Sequence, residues 1–93
     1  MLEMKLIVRG SVQKVGYRVS ILEFVKSQKL AVVGYIKNQP DGSVEILVQG
    51  DIESLKSVRR FAMSGPSGAD VRDVQDEIKE IKTLGFSDFE VES

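Results

Sequence analysis

The chain has no cysteine and no histidine among its 93 residues. Without cysteine, disulfides and thiolate metal sites are excluded, and the cytoplasm is the default expectation for its compartment. Without histidine, the usual general base at neutral pH and the commonest zinc ligand are both missing, so neither a Ser-His-Asp nor a Cys-His mechanism can be built. Aromatic residues amount to only 6%, and no apolar run is long enough to span a bilayer. An excess of one charge is lacking too. The 13 Lys and Arg against 14 Asp and Glu leave a net charge of −1, which argues against general electrostatic capture of nucleic acid. Any chemistry must rest on Arg, Lys, Asp, Glu, Tyr, amides, the backbone or the substrate itself.

What is present fits one small domain spanning 1–93. Hydrophobic residues at 42% and charged residues at 29% are ordinary for a soluble globular protein of one core. Glu3 and Lys5 interrupt any N-terminal apolar segment, so no cleavable signal is expected. With few aromatics and no obvious apolar patch, a monomer is the default.

The segment 4–9, MKLIVR, reads as a strand closed by Gly10. From Tyr17 to Leu30, apolar residues at Tyr17, Ile21, Leu22, Val25 and Leu30 recur at helical spacing, and Phe24 widens that face. A second strand is expected over 32–38 and a third over 43–49, joined by a turn through Pro40, Asp41 and Gly42. In the third, Val44, Ile46 and Val48 alternate with Ser43, Glu45 and Gln49. Asp51 reads as the cap of a second helix carrying Ile52, Leu55, Val58 and Ala62 on one stripe, ended by Gly65-Pro66.

The segment 69–82 admits either a charged helix or an irregular edge strand through Val71, Val74, Ile78 and Ile81, and we read a strand. Phe86, Phe89 and Val91 suggest a short last strand. Core candidates are Tyr17, Ile21, Val25, Phe61, Phe86 and Phe89. The order βαββαβ, with right-handed crossovers, predicts an α+β, ferredoxin-like split βαβ sandwich: an antiparallel sheet of four to five strands with both helices on one face. That fold by itself implies no function.

The definite chemical proposal comes from Gly10 to Arg18, GSVQKVGYR. A loop opens onto a helix with an arginine in its first turn. Free N–H groups at the helix start, the positive end of its dipole and a guanidinium would converge on a phosphate or similar dianion. Ser11 and Ser20 lie nearby but have no base to activate them. The charged residues from Asp70 to Lys82 show no metal-ligand spacing.

GSVQKVGYR resembles the acylphosphatase signature G-x-V-Q-G-V-x-F-R. GYIKNQPDGSVE at 34–45 resembles its second signature, GPSGADVRDV at 65–74 is similar to G-P-P-x-A-x-V-x-x-V, and FSDFEV at 86–91 is like the family's usual ending. The resemblance covers nearly the whole chain. It implies hydrolysis of carboxylic-phosphoric anhydrides without metal or cofactor. Arg18 would bind the phosphoryl group, backbone N–H groups of Gln13, Lys14, Val15, Gly16 and Tyr17 would cradle its oxygens, and Asn38 would hold the attacking water. The implied partner is a small acyl phosphate, with inorganic phosphate or sulfate as competing anions, and neither nucleic acid nor membrane.

Two positions depart from the signature: Lys14 stands for glycine and Tyr17 for phenylalanine. A lysine held in a left-handed loop conformation costs on the order of 1 kcal/mol. That keeps an alternative open, an acylphosphatase-like anion-binding module with impaired catalysis. A ferredoxin-like RNA binder is a weak third reading, because only Tyr35 is placed as a stacking aromatic.

Overall fold

Met4, Leu6 and Val8 alternate along the first strand, β1 (Leu2–Ser11), and lie opposite Val48, Ile46 and Val44 of β3 (Val44–Gly50) in antiparallel register. All of these side chains are buried, so the two strands present one continuous apolar face. The computed structural model describes residues 1–13 and 16–92 and adds α1 (Tyr17–Ser27), β2 (Val33–Asn38), α2 (Ile52–Ser64), β4 (Asp70–Glu80) and β5 (Phe89–Glu92).

Strand order is β4-β1-β3-β2-β5. Both β1 and β2 pair antiparallel with β3, so they run parallel to each other and end at the same edge of the sheet. The expectation of a wholly antiparallel sheet is corrected here: β5 lies parallel to β2, making the sheet mixed. The helices bury Tyr17, Ile21 and Val25 from α1 and Leu55, Val58 and Ala62 from α2. These positions recur at helical spacing and join the strand residues in a single α+β, ferredoxin-like core. Burying each large aliphatic side chain is worth roughly 1.5–3 kcal/mol. The weak helix propensity of the β-branched residues in α1 costs at most about 0.7 kcal/mol apiece, so packing decides.

The segment read as an edge strand is one. β4 pairs with β1, and a register shift puts Arg9 opposite Asp73 but Gly10 opposite Val71. Arg72 is the extra residue of this bulge, and it brings Val71 and Val74, three apart, onto one face, where both pack against the core. The bulge thus explains the irregular spacing of Val71 and Val74 in a segment read as an irregular edge strand.

Other boundaries also differ from expectation. Gly10 does not close β1. The strand continues to Ser11, and a Cβ at Gly10 would lie 2.0 Å from the Asp70 carbonyl oxygen, so glycine permits the close approach of β4. α1 stops at Ser27 rather than Leu30. Lys29, at φ 54, is left-handed, and Leu30 N–H reaches back to Val25 O while Lys29 N–H reaches Lys26 O. That is a Schellman ending built with lysine where glycine is usual. Phe86 is not in the core. It is 36% exposed and packs edge-on against Tyr35. Phe61 is half-buried and stacks on Phe24, whereas Phe89 is buried. Among the described residues no helix is long and apolar enough to cross a membrane.

Candidate active site

One row of the sheet fixes the site's frame. Val44 pairs with Val8 on one side and with Asn38 on the other. Asn38, the last residue of β2, therefore stands at the edge from which β1 leads into α1. It shares the parity of Ile36, which is buried under the helices, so its side chain belongs to the helix-covered side. Its Oδ1 is buried and accepts no hydrogen bond among the described residues. A buried amide oxygen without a donor costs about 1–3 kcal/mol, and such a group commonly marks a place where solvent or ligand completes the bonding.

The connection from β1 begins with Val12, which is buried, and Gln13. The Gln13 side-chain amide donates to Gln39 O at 2.8 Å and to Ser43 O at 2.9 Å. Lys14 and Val15 lie outside the described residues. The helix then starts at Gly16, whose φ of 70 and ψ of 22 are left-handed and place nothing within 4 Å of a built Cβ. No side chain caps α1, and its first turn contains no acidic residue. The first helical bond runs from Ser20 N–H to Gly16 O, which leaves the N–H groups of the first turn without a carbonyl of their own helix.

Tyr17 opens the helix inward. Its hydroxyl donates to Ala62 O of α2 at 2.7 Å, and burial pushes its pKa far above the ordinary tyrosine value, keeping it neutral. The hydroxyl that distinguishes it from phenylalanine is thus satisfied within the core. Arg18, next along, is half-buried, and Nη1 donates to Glu92 O at the end of β5 at 3.0 Å. Glu92 pairs with Lys37, the residue before Asn38. Arg18 and Asn38 are therefore held at one edge of the sheet through neighbouring backbone positions. Ser20 spends its hydroxyl on Tyr17 O, and Ser11 is exposed.

The turn after Asn38 is closed by hydrogen bonds of its own. Gln39 N–H donates to Ser43 O, Gly42 N–H donates to Gln39 O, and Asp41 Oδ1 accepts both the amide and the hydroxyl of Ser43. The Ser43 hydroxyl holds the Asp41 carboxyl below its ordinary range. These bonds also explain why Ser43, expected on the solvent face of β3, is buried, as is Gln49, which bonds Glu3 and Gly85.

Of the residues expected at the site, Gln13, Gly16, Tyr17, Arg18 and Asn38 gather at this edge. Two contacts were not legible in the sequence: the grip of the Gln13 side chain on the turn, and the Glu92 carbonyl that steadies Arg18 from 74 positions away. No spacing signals either. Among the described residues no group of three or more acidic side chains forms a metal cage. Chemically, the edge offers first-turn N–H groups without a carbonyl of their own helix, a guanidinium held by one hydrogen bond to Glu92 O, and a buried amide oxygen.

A family model for acylphosphatase matches residues 4–91 of the chain. The chain is 40% identical over 78 residues to an acylphosphatase of Nitrosococcus oceani, a match covering 84% of this chain and 85% of that one. It is 34% identical over 85 residues to an acylphosphatase of Methanocella arvoryzae, covering 91% and 92% of the two chains. Its fold is similar to the crystal structure of acylphosphatase from Bacillus subtilis, with a TM-score of 0.88 at 30% identity and 100% of each chain covered.

Proposed function

Because the chain belongs to the acylphosphatase family, we propose that it hydrolyses acyl phosphates to a carboxylate and inorganic phosphate without a metal or cofactor. The phosphoryl oxygens are received by N–H groups of the connection from Gln13 to Tyr17 and by the guanidinium of Arg18. A guanidinium has five N–H donors in a rigid fork. Arg18 commits Nη1 to Glu92 O, which fixes the orientation of the fork while its other donors address the anion.

Asn38 positions the nucleophile. Its Oδ1 accepts a hydrogen from a water molecule and aims the oxygen at phosphorus, in line with the departing carboxylate. The water oxygen bonds to phosphorus, the phosphorus–oxygen bond to the acyl group breaks, and the electron pair leaves on the carboxylate. A phosphoryl oxygen of the substrate takes the proton. An acyl phosphate already carries a good leaving group, so neutralising charge and placing one water suffice, and no histidine is needed.

The single observation that carries this reading is the buried Asn38 Oδ1, without a partner among the described residues, at the edge that Arg18 shares. Replacing Asn38 by Ala tests it. Turnover of an acyl phosphate should fall about a hundredfold, while inhibition by inorganic phosphate stays within about threefold of wild type. Near-wild-type turnover in Asn38→Ala would remove the water-positioning role.

In this reading the protein acts as a cytoplasmic monomer on a small molecule, and phosphate or sulfate competes for its site. The open face of the sheet suits nucleic acid poorly. There the Tyr35 hydroxyl is committed to Glu45, and that carboxylate lies between Lys5 and Lys37.

A further inference from the structure

The phosphoryl-binding connection and the water-binding residue sit on different elements, and catalysis needs their separation held to a fraction of an ångström. The side chain of Gln13 is what joins them. Its Nε2 carries two hydrogens, and the two acceptors, Gln39 O at 2.8 Å and Ser43 O at 2.9 Å, are the carbonyls that close the turn directly after Asn38. Each carbonyl already accepts a backbone N–H, from Gly42 and from Gln39 respectively, so Gln13 takes the second lone pair of both. Two acceptors facing one side-chain terminus require the amide nitrogen there, since an oxygen would be repelled.

The anchor itself is stiff, braced by Asp41 on both the amide and the hydroxyl of Ser43. Backbone hydrogen bonds already satisfy the turn without Gln13, so the turn's own folding does not account for these contacts. From this we infer that Gln13 is a positioning residue for hydrolysis: its side-chain amide sets the phosphate-binding connection in register with Asn38, and hence the bound phosphorus in register with the attacking water. The inference rests on the acyl phosphate reading above and adds a residue to it.

The test compares Gln13→Met, close in shape but without a donor, with Gln13→Lys, which restores donors on a flexible stem. Turnover of benzoyl phosphate and inhibition by inorganic phosphate are measured for both, and for Gln13→Met combined with Asn38→Ala. Thermal unfolding confirms that each variant is folded. Gln13→Met should lower kcat about tenfold or more while phosphate inhibition stays within about threefold of wild type. Gln13→Lys should recover most of the loss, and Gln13→Met should cost nothing further once Asn38 is gone, because the water it registers is no longer held.

An unchanged kcat in Gln13→Met overturns the inference. So does a kcat loss matched by an equal loss of phosphate inhibition, which would make Gln13 a builder of the anion site only, or a full multiplicative loss on top of Asn38→Ala. If the wild type binds phosphate but hydrolyses nothing, the acyl phosphate reading fails and takes this inference with it. An active wild type with a crippled Asn38→Ala and an unimpaired Gln13→Met sinks the inference about Gln13 alone.

Discussion

The two helices of this fold begin in opposite ways. α2 starts at Asp51, in extended backbone, with Glu53 in its first turn, and the Ser54 hydroxyl holds the Asp51 carboxyl below its ordinary range. The positive end of that helix is answered by the protein's own carboxylates. Neither helix start makes a side-chain cap hydrogen bond, but α1 starts at a left-handed Gly16 with no acid at its cap or in its first turn, and Arg18 instead. Its positive end is reinforced rather than answered. A charge arrangement that is unfavourable for the isolated helix makes sense if the missing carboxylate equivalent arrives with the substrate. The helix start left without a carboxylate of its own is the one at the candidate site.

That contrast can be broken from either side. Arg18→Ala strips the guanidinium from α1 and should have the largest effect, lowering kcat/KM by about a thousandfold or more and weakening inhibition by inorganic phosphate in step. Equal phosphate inhibition in wild type and variant would show that the fork is spent on Glu92 alone. Gly16→Asp gives α1 a carboxylate of its own. A Cβ there meets nothing within 4 Å, and φ is 70, a conformation aspartate tolerates. Phosphate should then inhibit about tenfold more weakly with the fold intact, and an unchanged inhibition constant would deny that the helix start receives the anion. Asp51→Ala, at α2, is the smallest change. It should lower the midpoint of thermal unfolding slightly and leave turnover as it was.

The parts of the fold that were legible in the sequence are those where burial writes a local period. Val44, Ile46 and Val48 alternate, and Leu55, Val58 and Ala62 lie on one helical stripe, because each set faces a single core. What was not legible depends on partners distant in sequence. The Arg72 bulge interrupts the alternation of β4 between Val71 and Val74, and only the pairing of β4 with β1 reveals it. The parallel docking of β5 on β2 leaves no local trace, and it is what brings Glu92 under Arg18. Phe86 carries the same apolar signal as Phe89, yet it lies outside β5 and packs edge-on against Tyr35.

At the candidate site the residues that gather were legible and their supports were not. Arg18 and Asn38 follow from the motif, but the Gln13 side chain earns its place through two backbone carbonyls, and backbone acceptors have no sequence signature. Lys14, the departure from the family pattern that most concerns rate, lies outside the described residues, so its effect is a matter for kinetics.

The measurement that tests the central claim most directly is steady-state hydrolysis of benzoyl phosphate in EDTA, with wild type and Arg18→Ala side by side. The account predicts turnover in the wild type that EDTA leaves intact and Arg18→Ala abolishes. Absence of turnover from a folded, phosphate-binding wild type, or equal turnover in the two proteins, would contradict it.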